Sequence, residues 1–126
     1  MAKILVVDDE ADLEMLIKQK FRQKIREHLF VFATNGVHAL EQLLQHTDVD
    51  VVLSDINMPE MDGLTLLTKL NEQNNLLKSV IVSAYGDMEN IRTAMNRGAF
   101  DFVTKPVNFD DLELTVEKAI KHVNQM

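Results

Sequence analysis

The chain contains no cysteine and no tryptophan, and only two prolines and four glycines punctuate its 126 residues. Without cysteine it has no disulfide framework and no thiolate metal site. Any metal site would have to be built from oxygen ligands. Long apolar runs are also missing. None approaches the roughly 20 residues that cross a bilayer, so no membrane association is expected. The opening Met1-Ala2-Lys3-Ile4 lacks the apolar core and cleavage site of a signal peptide. Together these absences point to a cytoplasmic protein. Basic residues are the minority, 13 Lys and Arg against 20 Asp and Glu, for a net charge of −7. Direct nucleic-acid binding needs a basic stripe, and this balance argues against it. The plainest use of the charge is solubility.

What is present is enough for a core. Apolar residues make up 46% of the chain, too many for a disordered acidic tail. The length fits one domain over residues 1–126, with no internal boundary, repeat or low-complexity segment. Ile4 to Val7 reads as a first buried strand. Leu13, Ile17, Phe21 and Ile25 then recur at helical spacing within a segment from Ala11 to about Glu27. Leu29 to Ala33 is a second strand, followed by the turn Thr34-Asn35-Gly36 and a helix carrying Val37, Leu40, Leu43 and Leu44. A third strand, Val51 to Asp55, precedes a loop with Pro59 and Gly63. The third helix, marked by Leu64, Leu67 and Leu70, dissolves in the polar stretch Asn71 to Asn75. Val80 to Val82 is a fourth strand, ending at Ser83. Asp87 is placed to cap a fourth helix through Met88, Ile91, Ala94 and Met95, which Gly98 stops. Phe100 to Val103 is a fifth strand, ending at Lys105-Pro106. Asn108 caps a last helix whose buried face is Leu112, Val116, Ala119, Ile120 and Val123.

Strand and helix thus alternate five times. Strands that are apolar on both faces, separated by amphipathic helices, imply a parallel sheet covered on both sides. The expected fold is α/β, a three-layer doubly wound (βα)5 flavodoxin-like domain with strand order 2-1-3-4-5. Ligands of such sheets bind outside the carboxyl ends of the strands. Asp8 and Asp9 lie there after the first strand, Asp55 after the third, Ser83 after the fourth and Lys105 after the fifth. Three carboxylates in one half-buried cleft repel one another. A divalent cation relieves that, and an incomplete all-oxygen site suits Mg²⁺. Singly, each residue has a bland reading: the Asp8-Asp9-Glu10 triplet as partner of a helix dipole, Ser83 as a strand-end serine, Lys105 as a surface lysine. Their coincidence on one sheet edge is much harder to dismiss.

Other classes remain open at this point. A flavodoxin-like cofactor binder would need a Ser/Thr/Gly-rich phosphate loop where this chain has Asp8-Asp9-Glu10. A phosphohydrolase working through an aspartyl-phosphate would carry its D-x-D at the first strand, whereas Asp55-Ile56-Asn57 follows the third. A purely structural module leaves the strand-end cluster unexplained.

The motifs Val6-Val7-Asp8-Asp9-Glu10, Asp55-Ile56-Asn57-Met58-Pro59-Glu60-Met61-Asp62-Gly63, Ser83-Ala84 and Lys105-Pro106, with Gly98-Ala99-Phe100-Asp101-Phe102, resemble the receiver domains of bacterial two-component response regulators, in particular chemotaxis receivers. The resemblance covers the whole chain and carries the same strand order, so order and family are one inference rather than two. It implies a signalling switch rather than an enzyme. Asp55 would be the phosphoacceptor, taking a phosphoryl group from a sensor histidine kinase or phosphotransfer protein. Asp8, Asp9 and Asp55 would bind Mg²⁺, with Asn57 adding its backbone carbonyl. Ser83 and Lys105 would contact phosphoryl oxygens. A cis peptide is implied between Lys105 and Pro106. Ser83 and Phe102 would form the switch, although Phe102 has no hydroxyl to fix an outward state. Asn57 and Tyr85 occupy positions that tune phosphoryl lifetime. An output domain or protein would read the surface of the fourth helix, fifth strand and fifth helix, where Leu114 lies opposite the buried face.

Overall fold

The computed structural model describes residues 2–9, 12–20, 28–56, 61–73, 77–84 and 86–124. Its elements alternate along the chain: β1 (Ala2–Val7), α1 (Asp12–Lys20), β2 (His28–Ala33), α2 (Gly36–Gln45), β3 (Val51–Asp55), α3 (Gly63–Gln73), β4 (Lys78–Ala84), α4 (Met88–Asn96), β5 (Asp101–Lys105) and α5 (Phe109–Asn124). The sheet is parallel throughout, in the order β2-β1-β3-β4-β5. It is the doubly wound flavodoxin-like arrangement that the sequence predicts.

Alternate side chains of the strands point to opposite faces, and both faces are covered. Ile4 and Val6 of β1, with Val51 and Leu53 of β3, pack under Leu13 and Ile17 of α1 and Leu112, Val116 and Ala119 of α5. Leu5, Val7 and Val52 face the other way, against Ala39 of α2 and Leu66 and Leu70 of α3. Ile81 of β4 meets Ala94 of α4 on that second side. All five residues of β3 are buried, as a central strand of such a sheet requires.

Local chemistry sets the helix ends. Asn35 accepts the His38 N–H at 2.8 Å and opens α2. Asp62 accepts the Thr65 N–H at 2.8 Å and opens α3. Asn108 accepts the Asp111 N–H at 3.1 Å and opens α5. Asp110 and Asp111 in the first turn of α5, and Lys121 and His122 in its last, complement the helix dipole. Gly98, at φ 100°, ends α4 as expected.

Two expectations are corrected. Asp87 stands at the start of α4 but its carboxylate caps no helix N–H. Its backbone is not extended as a capping residue's usually is, and its Oδ2 takes the Asn90 side-chain amide at 2.8 Å instead. Helix α3 ends at Gln73, within the polar stretch Asn71 to Asn75 where the sequence ends it, with the Asn71 amide donating to the Arg97 carbonyl. Strand β2 begins one residue early, at buried His28. That ring accepts the Ala2 N–H at Nδ1, 3.3 Å away, and meets Glu117 of α5 at Nε2, 3.2 Å away. The expected continuation of α1 to Glu27, with Phe21 and Ile25, lies outside the described residues.

Candidate functional site

The chemistry collects where β1 and β3 end side by side. Val7 pairs with Ser54, so Asp8 and Asp55 leave neighbouring strands at nearly the same level. Asp8 is tied down by its backbone N–H, which donates to the Ala33 carbonyl at 3.1 Å. Its Oδ2 accepts the Leu13 N–H of α1 at 3.2 Å. Half of the bland reading therefore holds: Asp8 does serve the helix start. It serves the cluster as well. One carboxylate oxygen from each of Asp8, Asp9 and Asp55 lies within 4.8 Å of the other two. Asp55 is only 4% exposed and Asp8 is buried, while Asp9 faces solvent.

Lys105 ends β5, two strands from β3, and reaches back over β4. Its Nζ lies 2.6 Å from Asp55 Oδ2. The Lys105–Pro106 bond is cis. Ser83, on the intervening β4, pairs with Thr104 one position past the Asp55–Val82 pair. It is 1% exposed, and its hydroxyl has no hydrogen-bond partner among the described residues. A buried hydroxyl without a partner is costly, and it lies one strand position beyond the level of Asp55. Phe102 is half-buried and packs against the small core of Ile56, Leu67, Ile81 and Ala94. Asn57 and Tyr85 lie outside the described residues.

The donor set fits a hard divalent cation: three carboxylates, no sulfur and no imidazole. A cavity of about 330 Å³ beside Asp8 and Asp9, walled by Glu14, Phe32 and Thr34, has room for the waters that Mg²⁺ keeps. A larger recess of about 630 Å³ between α3 and α4 is lined by Thr65, Thr68, Lys69 and Arg97. It is shallow and far from the strand-end carboxylates, and it gathers no comparable set of groups.

Two contributors were not singled out by sequence reasoning. Gly63 had read as a turn signal and as the end of the motif that begins at Asp55, with no role at the site. A Cβ on it would overlap the Asp55 carbonyl oxygen and lie 2.8 Å from Ile56 Cα, so Gly63 sits directly against the backbone of Asp55. Ser54 had read as one more buried strand residue, yet its hydroxyl donates to the same carbonyl at 3.0 Å. A glycine eight positions after a strand-end carboxylate was the one available signal.

Residues 4–117 match the response regulator receiver domain. The chain belongs to that family. Among curated relatives of this receiver domain, the regulatory protein AtoC of Escherichia coli is 37% identical over 120 residues, which cover 94% of this chain and 25% of that protein. The DNA-binding transcriptional regulator NtrC of Proteus hauseri is 34% identical over 122 residues, covering 97% of this chain and 25% of that protein. The receiver thus spans about a quarter of the length of these relatives. Among solved structures, a response regulator receiver domain protein from Clostridium thermocellum superposes with a TM-score of 0.86 at 30% identity, covering 99% of this chain and 98% of that one. AtoC is a regulatory protein and NtrC a DNA-binding transcriptional regulator, and the narrower likeness to chemotaxis receivers is not supported. No helix among the described residues is long and apolar enough to cross a membrane.

Proposed function

We propose that this receiver domain accepts a phosphoryl group on Asp55 from a sensor histidine kinase or phosphotransfer protein, with Mg²⁺ as cofactor, and that the modified state is read by an output domain or protein. The observation that carries the reading is the buried Asp55 carboxylate, packed among Asp8 and Asp9, held by Lys105 and lying one strand position from the Ser83 hydroxyl, which has no partner among the described residues. A purely structural cluster would gain nothing from that repulsion.

In this reading Asp55 attacks phosphorus with one carboxylate oxygen, and the bond from phosphorus to the donor's imidazole nitrogen breaks. The Lys105 ammonium holds a phosphoryl oxygen as charge moves onto it. The Ser83 hydroxyl donates to another, which gives it a partner that no described residue supplies. Asp8, Asp9 and Asp55, with the Asn57 backbone carbonyl, would hold Mg²⁺, which supplies positive charge against the phosphoryl oxygens. Water later attacks phosphorus and releases inorganic phosphate, restoring the carboxylate. Asn57 and Tyr85 are proposed to set how fast that happens. The movement of Ser83 and Lys105 toward the phosphoryl group, together with Phe102, would bias a surface formed by α4, β5 and α5. Met88, Met95 and Leu114 are exposed there, and Leu114 is 55% exposed. The whole of residues 1–126 is read as one receiver, cytoplasmic, with no direct contact to nucleic acid of its own.

Incubation with a small phosphodonor and Mg²⁺ should add a single group of about 80 Da by intact-mass measurement. Asp55→Asn should abolish the addition. Equal labelling of that variant refutes the assignment.

A further inference from the structure

We infer that Ser54 is a positioning residue for phosphorylation, acting through the peptide group that joins Asp55 to Ile56. This inference rests on Asp55 as the phosphoacceptor. The peptide group is gripped at both ends. Its N–H, on Ile56, donates to the Val82 carbonyl of β4 at 3.2 Å. Its C=O, on Asp55, accepts the Ser54 hydroxyl at 3.0 Å. Gly63 then walls the same carbonyl, leaving no room for a Cβ, and its own N–H donates to the Ile56 carbonyl at 2.7 Å.

The physical need for this grip comes from where β3 stops. Asp55 is its last residue, and pairing of β1 with β3 ends at Ser54. Beyond that point the ladder no longer fixes the backbone on the β1 side. The carboxylate hangs from an end that the ladder holds on the β4 side alone, so a tilt of the peptide moves the attacking oxygen. In-line transfer is intolerant of such motion; a misplacement of about 1 Å costs up to roughly a hundredfold in rate. Ser54 is 2% exposed, so water does not compete for its hydroxyl. Its side chain stands on the sheet face opposite to that of Asp55, because neighbouring side chains on a strand point to opposite faces. It acts only through the backbone.

The test uses the whole chain as parent, Ser54→Ala and Ser54→Thr. Threonine keeps the hydroxyl and suits a strand. Ser54→Ala should slow labelling of Asp55 roughly tenfold, within the range that misalignment commands. In metal-free protein its Ile56 amide should exchange with solvent faster than the parent's. Ser54→Thr should recover most of both. If Ser54→Ala labels at the parental rate, the inference is overturned while the phosphoacceptor reading stands. If Ala and Thr variants are slowed equally, packing rather than the hydroxyl is responsible and the inference is again overturned. A parent that takes no label on Asp55 overturns the phosphoacceptor reading, and this inference with it.

Discussion

Lys105 Nζ sits 2.6 Å from Asp55 Oδ2 although the two residues end strands that are not neighbours. The ammonium crosses the end of β4 to reach the carboxylate, and the lysine side chain is 40% exposed against 6% for the aspartate side chain. The pair is therefore unequal: water already serves the lysine, while the aspartate depends on it.

That inequality predicts an asymmetric mutational response. Lys105→Ala should destabilise the metal-free domain by about 1–3 kcal/mol, because a buried carboxylate loses its cation; the value stays below that of a fully buried pair because the lysine is partly solvated. In an Asp55→Asn background the same substitution should cost little. A double-mutant cycle by urea unfolding measures the difference. Equal costs in both backgrounds would remove the pairing argument.

Metal-free Asp55→Asn should melt higher than the parent. At an effective dielectric of ~20, attraction over the 2.6 Å to Lys105 is ~6 kcal/mol, and repulsion from two carboxylates at up to 4.8 Å is at least ~7 kcal/mol before solvent screening of Asp9. These nearly cancel, so the cost of burying the carboxylate decides. With ~10 mM Mg²⁺ and an assumed dissociation constant of ~1 mM, the parent should gain about 1.4 kcal/mol. That corresponds to roughly 3–7 °C in Tm. The Asn variant, having lost a charged ligand, should gain less. Thermal melts with EDTA and with Mg²⁺ at fixed ionic strength decide the matter, and equal shifts would exclude Asp55 from the metal site.

Ser83→Ala should leave the unmodified domain as stable as before or more stable by about 1 kcal/mol, since a buried hydroxyl without a partner among the described residues is removed. Phosphorylation should persist, while the conformational response to an acyl-phosphate mimic such as beryllofluoride should shrink. Amide exchange reads both states. A full-sized response in the variant would deny the hydroxyl a switching role.

Gly63→Ala and Gly86→Ala should differ sharply. At Gly63 the new methyl meets backbone that no rotamer change can clear, so a loss of about 3 kcal/mol or more is expected. At Gly86 the space is open and only the φ of 86° resists, so the loss should be about 1–2 kcal/mol. Urea midpoints of the two variants rank them.

Legibility in the sequence followed the range of the interactions. The apolar runs Ile4–Val7 and Val51–Leu53 announced buried strands, and the strands' parallel order brought Asp8, Asp9, Asp55 and Lys105 to one edge. Asn108 was legible as a cap because its partner is three residues away. Asn35 performs the same task but read as a turn, since Asn before Gly serves either purpose. Asp87 has a capping residue's chemistry without the backbone angles, and angles are not written in residue types. Ser54 and Gly63 were illegible as site-builders because their partner is a backbone carbonyl, which every residue possesses.

The placement of α5 has a consequence for biosynthesis. Leu112, Val116 and Ala119 cover a face whose other half, Ile4, Val6, Leu13 and Ile17, is translated about a hundred residues earlier. At roughly 5–20 residues per second that interval is about 5–20 s. During it the nascent chain presents an uncovered apolar face to the ribosome surface and to chaperones. Over β1 and β3 the opposite face is covered by α2 and α3, which follow β1 closely, so that part closes first. Protease digestion of chains arrested before and after residue 120 should find the earlier ones cleaved and the later ones resistant.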